Sequence, residues 1–267
     1  MPLLPAGLTD PVVPVPTPLS DNSDSDPDAS ESLVPAQTFQ MAGVSTVSFD
    51  GLLDDPLLLR EDLKEGCGGR LWPAGMLLAK YLLRHHRTSL ADKSIVELGA
   101  GGGLVGLAVA RGCCPLGSSS SIHITDQIPM LALMEANVKL NNLSSLVAPA
   151  VLDWGQPISP AIPPRPAVVL AADCVYFEPA FPLLVETLQA LLAPGSVCYF
   201  CFKKRRRADT RFFKLARKVF DIEEIRGDPD VEAARRECIF LFSIRPKIDQ
   251  GSRSNGTTNG GTIEGNA

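Results

Sequence analysis

The residues most able to do chemistry lie in one run, VELGAGGGLVGLAVA, residues 96–110 of a 267-residue chain. Gly99, Gly101 and Gly103 occupy alternate positions, where a chain can turn sharply and bring backbone N–H groups to a ligand with no Cβ in the way. The apolar residues from Leu104 predict a helix whose positive end faces that turn. Gly101, Gly103 and Gly106 also satisfy G-x-G-x-x-G, so the glycines alone leave dinucleotides and other adenosine cofactors open. A dinucleotide would bring a pyrophosphate to the helix N-terminus. Glu97, two residues before the first glycine, sets a carboxylate beside the turn, which opposes an anion and suits a cation. S-adenosylmethionine, with a sulfonium and an ammonium and no phosphate, fits that charge. Asp126 ends the next apolar run, where it can accept hydrogen bonds from both ribose hydroxyls or simply cap the helix that follows. Together these residues favour the methyl donor over a dinucleotide, with a purely structural glycine turn as the bland reading.

Two further stretches fall at the same edge. LDWG (152–155) follows the third strand candidate, so Trp154 can stack on or edge an adenine, or be a core tryptophan. AADCVYFEP follows the fourth, and in an open parallel sheet ligands lie outside the carboxyl ends of the strands. The small Ala172 would admit the donor. Asp173 and Tyr176 are the polar, proton-handling groups of that run, with an Asp that caps the next turn as the competing reading.

The bases cluster. Lys203 to Lys218 holds nine Lys and Arg against one acid, Asp209. A solvated helix face and a docking surface for an acidic protein substrate are the two main readings, with nucleic acid a distant third. Cysteine supports neither disulfides nor a metal. The seven are scattered, and Cys198 and Cys201 stand three apart in a strand-like run, where side chains face opposite sides. Buried thiols in a reducing compartment account for them.

These groups need a scaffold, and its elements alternate. SIVELG, SIHITD, AVVLAAD, SVCYFCF and CIFLFSI are short, apolar and β-branched, as buried strands are. LVAPAVLDW and FDIEEI are weaker candidates. Helical stretches separate most of them, at Leu104 to Arg111, Met130 to Leu140, Pro182 to Leu192 and Thr210 to Val219. The expectation is an α/β, Rossmann-like, seven-stranded and mostly parallel sheet with helices on both faces. Only the polar loop RGDPDVEAARRE joins the last two strands, so they form a final antiparallel hairpin. Upstream, STVSFDG and DPLLLRE predict a small hairpin. LWPAGMLLAKYLLRHH predicts a helix with Pro73 in its first turn, lying over the sheet through Met76, Leu77, Lys80, Tyr81 and Leu83.

Composition bounds the rest. With 45% apolar residues and a net charge of −5, the chain is long enough for one large domain. No run approaches the roughly 18 apolar residues of a membrane helix, and the N-terminus lacks a basic leader. Residues 1–40 carry six acids and no base, so the acidity belongs to a Pro/Ser-rich leader read as disordered, as is the tail 246–267. The folded domain is then 41–245 and nearly neutral, expected in the cytoplasm and also in the nucleus; nothing demands a partner for folding, and a monomer is the expectation although the sequence does not encode oligomeric state.

In order, GGRLWPAG, VELGAGGGLVG, ITDQ, LDWG and AADCVYFEPAF resemble the seven-strand methyltransferases of family 16, mostly protein-lysine methyltransferases. The likeness spans about residues 45 to 245. DCVY matches that family's D/E-x-x-Y/F motif and not the N-P-P-Y type of amino-methylating nucleic-acid enzymes. KKRRRADTRFF is similar to the fungal branch that modifies translation elongation factor 1-alpha. The insertion CCPLGSSSS and the acidic leader depart from a minimal member. The resemblance implies S-adenosylmethionine as cofactor, held by Trp72, Gly99, Ala100, Gly101, Asp126, Trp154 and Ala172; unaided, Trp72 reads as core. It implies a protein substrate, elongation factor 1-alpha, for which the basic cluster offers a dock through Lys203, Lys204, Arg205, Arg206 and Arg207, while the cysteine pattern and the lack of a long apolar run predict no metal and no membrane. A free lysine, with a pKa of about 10.4, needs desolvation and a nearby cation to become a neutral nucleophile. Asp173 and Tyr176 are then the catalytic pair, orienting the ε-amine while its proton leaves to water. An RNA or small-molecule methyltransferase and a non-catalytic binding module are the alternatives.

Overall fold

A computed structural model describes residues 43–62, 67–115 and 117–247. The leader 1–40 and the tail beyond Lys247 lie outside the described residues. A two-stranded antiparallel hairpin, β1 (Gly43–Val47) and β2 (Leu57–Glu61), comes first. α1 (Pro73–His85) follows, entered through Trp72 in extended conformation with Pro73 at its first position, where the missing N–H leaves no bond unmade. Then come β3 (Ser94–Leu98), α2 (Leu104–Cys113), β4 (Ser121–Asp126), α3 (Ile128–Leu140), β5 (Val147–Val151) and β6 (Val168–Ala172). The chain ends through α4 (Phe181–Leu191), β7 (Val197–Lys203), α5 (Thr210–Ala216), β8 (Phe220–Glu224), α6 (Pro229–Arg236) and β9 (Ile239–Pro246).

The main sheet has seven strands in the order β5-β4-β3-β6-β7-β9-β8. The pairs from β5 to β7 are parallel; β9 is antiparallel to both β7 and β8. The expected antiparallel end is therefore present, but the last strand inserts between its two predecessors. The loop between them is not bare either. It contains α6, whose N-cap Asp228 accepts from the N–H groups of Asp230 and Val231, with Pro229 first and Arg235 and Arg236 last. All three are helix signals legible in GDPDVEAARR, and the cap is worth about 1 kcal/mol.

The sheet separates two apolar layers. On one side α1, α2, α3 and the hairpin pack with Ile95, Ile122 and Ile124; on the other α4 and α5 pack with Val96, Val169 and Phe200. Cys201 belongs to the first layer and Cys198 to the second, on opposite faces as period-two geometry requires. α1 does cover the sheet, but through Ala74, Leu77, Leu78, Leu82 and Leu83, so Met76, Lys80 and Tyr81 lie at the margin of the buried face.

The hairpin is held by polar groups. Asn141, the C-cap of α3, accepts the N–H of Leu58 at 2.9 Å and donates to its carbonyl at 2.7 Å. One turn earlier Asn137 does the same to Arg60, at 2.8 and 3.2 Å, and also donates to the carbonyl of Gly102 at 2.9 Å. Two side-chain amides thus replace the neighbouring strand that the edge of β2 lacks. Both asparagines are buried, so these bonds are satisfied at the expense of water and costly to remove.

Candidate active site

β3 and β6 are neighbours whose connections run in opposite directions across the sheet, and the crevice at their carboxyl ends is where such sheets hold ligands. A cavity of about 540 Å³ opens there, a volume typical of cofactor sites. At one end the glycine turn has φ of +60° at Gly99, +54° at Gly101 and +87° at Gly103. A Cβ on Gly101 would lie 2.2 Å from the carbonyl oxygen of Gly68, and one on Gly99 2.9 Å from Sγ of Cys174 and 3.2 Å from the Trp154 ring. The turn is bare because backbone from another segment crosses it. Asp126 fixes it from the side: Oδ2 accepts the N–H of Gly101 at 2.8 Å and Oδ1 that of Gln127 at 2.7 Å. Each oxygen keeps lone-pair capacity toward the cavity. Burial raises the Asp126 pKa, and the two N–H bonds oppose the rise.

Glu97 behaves differently from the free carboxylate that the spacing suggests. It is 2% exposed, and Oε2 accepts the N–H of Gly106 at 2.7 Å in the first turn of α2. Burial pushes its pKa up to about 8, against the lowering effect of those helix N–H bonds. Burial thus favours the protonated form near neutral pH. A cation bound beside it would favour ionisation.

The other end of the cavity is assembled from side chains. Asp173, 7% exposed and in a left-handed conformation (φ +58°), follows β6. Arg205 forks onto its carboxylate, with Nη1 to Oδ1 at 2.9 Å and Nη2 to Oδ2 at 2.6 Å, and the N–H of Lys203 adds a bond of 3.1 Å. The same guanidinium lies 5.3 Å from the centroid of Trp72, and that of Arg70 lies 5.6 Å from it. Trp72 is thus a wall of the cavity and only half-buried, which corrects its unaided reading as core. Tyr176 and Phe177, 63% and 58% exposed, stand at the mouth with Leu183.

All seven positions expected at the donor and both expected at the amine line this one cavity. Trp154 combines its two readings, since it lines the cavity and packs on the second apolar layer. Of the five bases expected to face a partner, two are engaged by acids of the chain itself, although Arg206 stays 52% exposed. Arg205 pairs with Asp173, and Arg206 pairs with the buried Asp209 at 3.0 Å and donates to the carbonyl of Tyr176. Lys204 and Arg207 remain exposed. Among the lining residues that were not anticipated, Gly68 and Arg205 matter most. Gly68 is signalled only by the glycines of GCGGR, and nothing in a run of five bases marks Arg205 as the one that turns in.

The residues present suit S-adenosylmethionine. The turn is stripped of Cβ atoms, two acids lie at the strand ends, an indole lines the wall, and the cavity is large and largely apolar. A model of the lysine methyltransferase family matches residues 52–219, more than half of the chain. The chain belongs to the lysine methyltransferase family. Members of this family transfer methyl groups to lysine, and S-adenosylmethionine is the donor. Among its relatives is the protein-lysine N-methyltransferase EFM6 of Saccharomyces cerevisiae, 35% identical over 76% of this chain and 91% of its own. The EEF1A lysine methyltransferase 3 of Mus musculus is 32% identical over 62% of this chain and 69% of its own. A likeness in fold alone extends to the 16S rRNA N2 G1207 methyltransferase of Thermus thermophilus, solved with AdoMet and guanosine, at 14% identity and a TM-score of 0.52 over 77% of this chain and 50% of that one. Among the described residues no helix is long and apolar enough to cross a membrane.

Proposed function

We propose that this protein-lysine methyltransferase modifies a lysine of translation elongation factor 1-alpha in the cytoplasm, with the amine entering between Asp173, Tyr176 and Trp72, the last moved here from the donor set because its ring lies by the Arg205 guanidinium that Asp173 holds. The observation that carries the reading is one continuous cavity with a backbone-built end at Gly99–Gly101 and a side-chain-built end at Asp173. S-adenosylmethionine, when bound, supplies a methyl group activated by the sulfonium. Gly99, Ala100 and Gly101 would admit it along their backbone, Asp126 would accept from its ribose hydroxyls, Trp154 would flank the adenine, and the small Ala172 would leave room for it. The apolar walls and the aromatic mouth exclude water from an incoming amine and so favour its neutral form. Asp173 and Tyr176 orient that amine, and its proton leaves to water. Asp173 orients the amine and does not serve as its general base, because a carboxylate is too weak a base toward an ammonium.

The name of the mouse relative supports the substrate, as does the basic segment around the mouth. With Arg205 and Arg206 engaged internally, docking of an acidic surface falls to Lys203, Lys204 and Arg207. The test is incubation of the purified protein with labelled donor and purified elongation factor 1-alpha, and in parallel with cell extract treated with nuclease or protease. Labelling of the factor, and protease-sensitive label in extract, is expected. Nuclease-sensitive label, or donor binding by calorimetry without any transfer, would overturn the assignment.

A further inference from the structure

A buried carboxylate beside an aromatic face is a favourable seat for a cation, since the ion gains both a charge-assisted hydrogen bond and the ring quadrupole. Asp173 and Trp72 form such a seat in the wall of the cavity, and it is filled. The Arg205 guanidinium makes both bonds that a planar fork can make to Asp173 and lies over Trp72 at 5.3 Å. The turn behind it is rigid. Asp209, fully buried, accepts the N–H groups of Arg205 and Arg206, each at 2.9 Å, and the N–H of Lys204 donates to the carbonyl of Cys238 at 2.8 Å. The backbone is thus pinned while the Arg205 side chain, 34% exposed, reaches from solvent into the seat. A lysine amine brought to Asp173 meets a like charge in the place it needs.

We infer that Arg205 is a specificity-determining residue, whose guanidinium occupies the amine seat of Trp72 and Asp173 and yields it to a lysine when a carboxylate of the same protein substrate draws the guanidinium outward. The inference rests on the lysine-methyltransferase reading and deepens it by naming the chemistry around the target: a lysine with an Asp or Glu close to it in space. Charge complementarity supports this occupant. Lys204 and Arg207 flank Arg205 on the exposed side, so an acidic partner surface is attracted to the point where the fork must swing. A lysine in neutral surroundings offers no replacement for the Asp173 bonds that Arg205 gives up.

The test compares the full-length protein with Arg205→Gln, which keeps side-chain length and polarity but removes the charge and the fork. Both are incubated with labelled S-adenosylmethionine and cell extract, and the modified lysines are mapped by mass spectrometry. The variant is expected to label a wider set of proteins, at least tenfold more strongly at the added sites. Wild-type sites are expected to have a carboxylate near the modified lysine, and the added sites to lack this bias. Calorimetric titration with the donor sets the concentration that saturates each protein, so that the labelled sets are compared at equal donor occupancy. An unchanged or narrower set of labelled proteins, or wild-type sites without neighbouring carboxylates, overturns the inference. It fails separately from the functional reading, because nuclease-sensitive label from the wild-type protein would sink the protein substrate whatever the variant does.

Discussion

The two ends of the cavity are built from different materials. The end proposed for the donor is made of backbone: the Gly99–Gly103 turn, the carbonyl of Gly68 against Gly101, and N–H groups fixed by Asp126. The end proposed for the amine is made of side chains that meet from residues 72, 173, 176 and 205. A ligand with one invariant structure can be held by backbone whose geometry is set once. A protein substrate must be discriminated from all others, and side chains that can move and carry charge do that better.

The contrast is most easily broken at the glycines. Gly101→Val places a branched side chain at φ +54° and 2.2 Å from the Gly68 oxygen. Donor affinity should fall at least about a hundredfold by calorimetry; retention would mean that the donor end is not fixed by backbone. Next comes Asp173→Ala, for which turnover should drop about a hundredfold with donor affinity within about twofold, the split expected of an orienting group. Equal loss of both would merge the two ends into one structural unit.

A subtler probe is pH. The folded-state pKa of Glu97, at about 8, lies above its ordinary value of 4.5, so the folded protein holds a proton that the unfolded chain has released. That contribution to stability is full below about pH 4.5 and is lost as pH rises through about 8. Between pH 6 and pH 8 the wild type should lose about 2 kcal/mol more stability than Glu97→Gln, whose amide can still accept from Gly106. Parallel denaturation curves for the two proteins across that range would refute it.

The smallest effect separates two neighbours. Asn137→Leu and Asn141→Leu each unclamp one residue of β2 and should destabilise by about 1–3 kcal/mol. Only Asn137 also holds the carbonyl of Gly102, so only its variant should weaken donor binding, by about fivefold. Equal affinities would show the turn to be self-supporting.

The same contrast explains what could be read from the sequence. The donor end follows from local spacing, since glycines, Glu97 and Asp126 fall at strand ends that hydrophobic pattern alone locates. The sheet was legible for the same reason, and α6 was passed over because its polar face outweighed cap signals that were present. The amine end was legible only in part. Asp173 and Tyr176 follow from strand position, but the pairing of Arg205 with Asp173 joins segments 32 residues apart, and no periodicity encodes it. The protonated state of Glu97 was hidden too, because it depends on burial under α2 and not on sequence neighbours. Asn137 and Asn141 fitted a helical repeat that said nothing of the strand they would meet.

The order of strands carries a consequence for synthesis. β9 lies between β7 and β8, and its preceding residue Cys238 accepts the N–H of Lys204 in the turn that presents Arg205. On the ribosome, β7 emerges some forty residues before the strand that must flank it, and its hydrogen-bonding edge waits open. The Gly99–Gly103 turn and Asp126 are thus translated well before the strand whose first neighbour, Cys238, pins the turn that carries Arg205.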